Sequence, residues 1–208
     1  MNWHRLTLGT VLSGLLGACA STPTTIPHVA QVDLPRFMGD WYVVAHIPAL
    51  PERHAYNAVE SYALRPDGRI QTVFQFRDGS FDAALDTMRP VATVVPGTGN
   101  AVWGMQFVWP IQAEYVIVAL DPEYRWTLIG RSKRDYLWIM ARTPRLPEAD
   151  YQALVQRAQA LGYDTSKIRQ VPQRWPETGP DPRPAPNRQA SAATPPAAAG
   201  PGTPAPAH

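Results

Sequence analysis

Cysteine is almost absent from this chain: its 208 residues hold one, Cys19. No disulfide can form within the chain, so an exported domain must be stable on packing alone. Familiar catalytic and metal patterns are missing too. There is no Gly-x-Ser-x-Gly elbow, no His-Glu-x-x-His and no paired metal-cysteine spacing, which leaves no enzyme signature and no reason to expect a cofactor or a metal. His46 and His54 flank the first loop, but two loose histidines are more often surface or core residues than ligands. An excess of one charge is lacking as well. The 19 Lys and Arg face 17 Asp and Glu without a basic run, so nothing points to nucleic acid. No apolar run approaches the roughly 20 residues of a membrane-spanning helix.

What is there is unevenly distributed. "MNWHR" supplies a weakly basic start with Arg5, and "LTLGTVLSGLLGA" an apolar stretch ending in small residues, so residues 1–18 read as an export signal. The junction "LLGAC", Leu15 to Cys19, resembles the lipobox of bacterial lipoproteins, which implies cleavage before Cys19 and acylation of that residue. The alternative is a plain secreted protein cleaved at a small-residue site. Residues 19–31, with "ASTPTTIPH", read as an acylated N-terminus and tether. At the other end, residues 176–208 contain 10 Pro and 9 Ala in 33 positions. Such a segment cannot bury enough apolar surface to offset its ordering entropy, so a disordered tail is expected. The body between, residues 32–175, fits one domain.

That body is written in short strands. "WYVVAHI" precedes a Pro-rich loop, "PALPERHAYN"; "AVESYALR" leads into the turn "PDG". "RIQTVFQFR" alternates, with Ile70, Thr72, Phe74 and Phe76 on one face. "DTMRPVATVV", "AVWGMQFVW", "AEYVIVAL", "WTLIGR" and "YLWIMAR" continue the pattern, about eight strands in all. Then Tyr151, Leu154, Val155, Ala158 and Leu161 recur at helical spacing, with Pro147 at the start and Gly162 just past the end. The expected fold is all-β with one C-terminal helix. It is an eight-stranded antiparallel up-and-down β-barrel, whose closure removes the exposed edges.

Three stretches in order carry a family resemblance: "GDWY" at the first strand, "YVIVALDPEYRWTLIGR" (115–131), and "RDYLWIMARTP" (134–144). With "LGYDTSKIRQVPQ" after the helix, they resemble the lipocalins, and among them the bacterial outer-membrane lipocalins. The resemblance covers roughly residues 32–173. It implies a cup whose closed end holds Gly39, Trp41 and Arg142, with the guanidinium of Arg142 across the indole of Trp41. It also implies a lipophilic ligand, a fatty acid or lysophospholipid, and attachment to the outer membrane through Cys19. "ASTP" after the cysteine lacks the aspartate associated with inner-membrane retention.

Alternation places Tyr136, Trp138 and Met140 on the same face as Arg142, and Tyr62, Phe74 and Phe76 should join them inside. Eight strands enclose just enough room for one small ligand. The same side chains could equally fill a packed core. Glu60 shares the parity of Tyr62; inside an apolar cup it must be protonated, paired or near the mouth, unless the parity is off by one and it faces water. The candidate ligand-binding set is therefore Trp138, Met140, Tyr136, Tyr62, Phe74, Phe76 and Glu60. Two other functions remain open. One is an envelope interaction protein using the Pro/Ala-rich tail beside a vestigial cup. The other is an enzyme on a lipophilic substrate, which a cup without cysteine does little to support.

Overall fold

In the computed structural model of the chain, residues 25–177 are described. The segment read as an export signal, Cys19 and the residues read as a tail beyond 177 lie outside them. Ten strands follow one another: β1 (Gly39–Ile47), β2 (Ala55–Leu64), β3 (Ile70–Asp78), β4 (Leu85–Met88), β5 (Val91–Val94), β6 (Val102–Val108), β7 (Ile111–Leu120), β8 (Trp126–Gly130), β9 (Leu137–Ala141) and β10 (Arg169–Gln170). All pairings are antiparallel. β9 returns to β1, with Val43 opposite Met140 and His46 opposite Trp138, and this closes the sheet into a barrel.

β4 and β5 both pair with β3 and act as one interrupted stave, so the barrel has eight. The interruption falls at Arg89 and Pro90, where proline has no N–H to donate to a ladder. It has a consequence at the rim. β5 pairs with β6 from Val94–Trp103 up to Val91–Gln106, whereas β4 pairs with β3. Among the described residues, the last two positions of β6, Phe107 and Val108, therefore have no strand on that side.

Period-two alternation buries both faces of several strands, each against a different core. Inside the barrel pack Trp41, Val43, Tyr62, Ile70, Phe74, Phe76, Trp103, Met105, Tyr115, Ile117 and Met140. Outside, Ala45, Ile47, Val116, Val118, Leu128, Leu137 and Ile139 meet Leu154, Ala158 and Tyr163. The helix α2 (Glu148–Ala160) supplies Leu154 and Ala158 and takes Pro147 as its N-cap. Its far end closes by a Schellman motif: the Gly162 N–H donates to Gln159 O at 2.9 Å and the Tyr163 N–H to Ala158 O at 3.1 Å.

The barrel is closed at one end. A short helical turn, α1 (Leu34–Phe37), crosses it, capped by Asp33, whose carboxylate accepts from the Arg36 N–H. Gly39 follows at φ +92°, a conformation side chains rarely tolerate, and lets the chain turn upward into β1. Residues 26–31, read from sequence as tether, differ from that expectation: they run against the outer wall. Ile26 is buried beside Val116, Val118 and Tyr163, because an apolar side chain here finds an apolar groove. The Val29 N–H donates to Ile117 O at 3.0 Å, and the Val32 N–H to Gly99 O at 2.8 Å. Pro176 and Glu177, assigned to the tail, also meet the barrel, since Glu177 pairs with Arg77 at 2.9 Å.

Candidate functional site

A column of aromatic rings rises through the interior. At its base Phe37 touches Trp41 (centroids 4.9 Å apart) and Trp103 (5.3 Å). The Trp41 indole N–H donates to Phe37 O at 2.8 Å, and the Arg142 guanidinium lies 3.8 Å above the Trp41 ring. That guanidinium also donates to the carbonyls of Asp40, Arg36 and Phe37. Burial lowers its pKa to about 10, leaving it charged at neutral pH. Higher up, Trp103 stacks on Tyr115 at 4.9 Å, the Tyr62 and Tyr115 hydroxyls are 2.6 Å apart, and Tyr115 leads to Trp138 and then Tyr136.

Beside the top of this column lies a cavity of about 90 Å³, lined by Glu60, Met105, Phe107, Tyr115, Tyr136 and Trp138, with Ala49, Ala113, Glu114 and Arg131 at its edge. Larger hollows, such as one of about 360 Å³ beside Asn57, Arg77 and Phe81, are more polar. The interior is therefore two things at once. Its lower half is packed solid, and its upper half keeps a small aromatic-walled space, below the roughly 300–1,000 Å³ of a drug-sized pocket.

The cavity's ionisable groups are shaped by burial. Desolvation raises Glu60 to about 8; a hydrogen bond with Tyr62 opposes this, and the nearby Glu52 adds to it. At neutral pH Glu60 is thus mainly a neutral acid with a proton to donate. Glu52, on the 3₁₀ turn Leu50–Glu52 of the rim loop, accepts from the Ala49 N–H at 2.9 Å and from the Trp138 indole N–H at 3.0 Å. Burial raises it to about 7 against both bonds. His46, 3.9 Å from Glu52, is lowered to about 3, first by desolvation and then by Arg169, and stays neutral. Arg131 stacks on Tyr136 at 4.8 Å and lies 3.4 Å from Asp135, while its buried Nε has no hydrogen-bond partner among the described residues.

The sequence-derived set divides. Trp138, Tyr136 and Glu60 line the cavity. Tyr62, Phe74, Phe76 and Met140 also face inward but are buried in the packed interior; Phe74 and Phe76 stack on each other at 5.0 Å. His46 and His54 do not share a site, for His46 is buried beside Glu52 and His54 lies exposed beside Asp78. Sequence reasoning missed Met105, Phe107 and Tyr115, although the alternation of "WGMQF" places Trp103, Met105 and Phe107 on one face. It also missed Arg131 and Glu52, which lie outside any strand and carry no periodic signal.

Comparison with known proteins agrees with this geometry. Residues 32–173 match the lipocalin-like domain. Over 156 residues the chain is 30% identical to outer membrane lipoprotein Blc of Escherichia coli K12, covering 74% of this chain and 88% of that protein. Over 153 residues it is 30% identical to temperature-induced lipocalin-1 of Arabidopsis thaliana, covering 70% and 81%. Among solved structures, insecticyanin from the tobacco hornworm Manduca sexta superposes with a TM-score of 0.57 at 15% identity, over 70% of this chain and 83% of that one.

Proposed function

The chain belongs to the lipocalin family, and we propose on that premise that it is a lipid-binding protein tethered to the outer membrane by an acylated Cys19. It holds a fatty acid or lysophospholipid and stores, moves or scavenges such lipids in maintaining the envelope. The observation that carries this reading is the aromatic-walled cavity at the open end of an otherwise packed barrel. The name of the relatives, outer membrane lipoprotein, supports the location.

The polar groups fit an amphipathic guest. An acyl chain lies against Trp138, Tyr136, Met105 and Phe107. The protonated Glu60 donates to a carboxylate or ester oxygen, and the positive charge of Arg131, at the cavity's edge, attracts an anionic head. A long chain needs more room than the cavity now offers. Met105, unbranched and with three rotatable side-chain bonds, yields at least cost, and its displacement would bring Phe74, Phe76, Tyr62 and Met140 into contact with the guest. The role is binding rather than catalysis.

Native mass spectrometry of the full chain extracted from its envelope tests this. A co-purifying single-chain lipid, displaced by a fluorescent fatty acid, is expected. An empty protein that binds no such probe would refute the reading. Glu60→Gln should weaken binding and remove its dependence on pH near 8.

A further inference from the structure

The hairpin joining β6 and β7 ends in "FVWPI", and it is apolar where a soluble turn would be polar. Trp109 is 82% exposed and Ile111 71%, with Phe107 and Val108 also exposed, and Leu50 stands out from the rim loop. Successive strand residues point to opposite faces, so Phe107 and Val108 leave both faces of the tip apolar. The tip is also unsupported on one side, since β4 does not follow β6 to the rim. A flat protein partner covers one face of a hairpin. A lipid interface surrounds both, and an indole is suited to headgroup depth.

The N-terminal segment points to the same end. It lies beside Gly99 at Val32, beside Ile117 at Val29, and beside Ser132 at Ile26, where the Ile26 N–H donates to Ser132 Oγ at 3.1 Å. Ser132 is itself bonded to Glu114 near the open end of β7. The segment therefore climbs from the closed end towards the mouth. Cys19 precedes Thr25 by six residues, which span at most about 20 Å. The tip is about 13 Å from Glu114 along β7, well within that reach. To bring the closed end down instead, the same residues would have to double back along the wall.

We infer that the Phe107–Ile111 hairpin, with Leu50, is a membrane-contacting surface that inserts into the lipid headgroup region and turns the mouth of the barrel towards the bilayer. The orientation, though not the insertion, rests on the anchoring of Cys19 proposed above. Phe107 and Ala49 line the cavity as well as the rim, so a lipid entering between them leaves the bilayer without crossing water.

The test is depth-dependent quenching. The full chain is placed on phosphatidylethanolamine–phosphatidylglycerol vesicles whose acyl chains carry bromine, and its tryptophan emission is compared with that of Trp109→Ser. Of the seven tryptophans, Trp3 leaves with the signal segment once the chain is cleaved before Cys19 (an uncleaved chain is tested as Trp3→Phe). Trp41 and Trp103 are buried and Trp126, Trp138 and Trp175 are half-buried, so bromine-dependent quenching is expected to vanish with Trp109. On chains added to preformed vesicles, Trp109→Ser with Ile111→Ser should weaken partitioning at least about tenfold. Unquenched emission from a chain that floats with the vesicles would overturn the inference while leaving the anchor intact, and a dimer found at the same time would assign the hairpin to a second copy. A mass without acyl groups at Cys19 would instead refute the anchor, and the quenching would still decide the hairpin.

Discussion

The two ends of the barrel each set an arginine on an aromatic ring, and they use the pair differently. At the closed end Arg142 lies 3.8 Å over Trp41 and spends its N–H groups on three backbone carbonyls. At the open end Arg131 lies 4.8 Å over Tyr136 with its Nε unpartnered. A guanidinium held by three backbone carbonyls is a rivet. One with a donor left unpaired inside the fold is held less firmly. The surroundings follow suit, with rings touching in the lower half and a cavity lined by the half-buried Glu60, near the buried Glu52, in the upper.

The largest effect that would break this contrast is on stability. Trp41→Ala removes a fully buried indole from between Phe37 and Arg142 and should cost about 3–5 kcal/mol by chemical denaturation. Trp138→Ala, at the half-empty end, should cost clearly less while weakening lipid binding more. Equal destabilisation would mean that the two halves are packed alike. The arginines give the next step down. Arg142→Ala takes a donor from the carbonyls of Asp40 and Arg36, while Phe37 O keeps the Trp41 indole, and should cost roughly 2–3 kcal/mol. Arg131→Ala should stay within about 1 kcal/mol and act instead on affinity for anionic lipids.

The closed end was largely legible in the sequence and the open end was not. Gly-x-Trp and the arginine of the last strand carried the floor only through their likeness to the lipocalin motifs, since strand period alone does not say that Arg142 and Trp41 meet. Alternation also gave the inward parity of Tyr62, Phe74, Phe76, Trp138 and Met140. It could not say how rings from five strands interlock, so the extent of the packed region, and hence the size of the cavity, was hidden. The β-bulge between Val43 and Ala45 is a second reason. It sends Ala45 and Ile47 to the outer core and leaves His46 facing the other way, a change of parity no period-two count contains. Glu52 acts from a loop, where there is no period to count.

pH sharpens the comparison, because the titrating groups cluster at the open end. Glu60 and Glu52 are raised to about 8 and about 7. Folded protein therefore holds their protons where the unfolded chain has released them, and stability should fall as pH rises from about 4.5 through these values. Each group contributes at most about 1.4 kcal/mol per pH unit. His46, lowered to about 3, acts oppositely: its contribution is present above about 6.5 and lost as pH falls towards 3. Melts between pH 5 and 9 should show the decline, and Glu60→Gln should flatten it between about 6 and 8. A variant with an unchanged profile would mean that Glu60 is solvated.

The smallest effect concerns motion more than stability. Glu52 binds the rim loop to Trp138 and to its own first turn through one carboxylate. Glu52→Ala removes both bonds and the buried acid together, so loss and relief nearly offset, and the net change should lie within about 1 kcal/mol. The loop itself should loosen. Amide exchange over residues 48–54 should quicken while that of β1 and β7 stays unchanged, and a bound lipid should leave faster because the wall at Ala49 and Trp138 is no longer pinned. Glu52→Gln keeps an acceptor for both N–H groups and should behave as wild type at pH 6, where the native carboxyl is mainly protonated. At pH 8 the native carboxylate, ionised near its pKa of about 7, should grip Trp138 more tightly than glutamine can. A faster lipid off-rate in Glu52→Gln at pH 8 than at pH 6, relative to wild type, therefore identifies the rim loop as a latch that the floor, without a titratable carboxylate on Trp41, does not have.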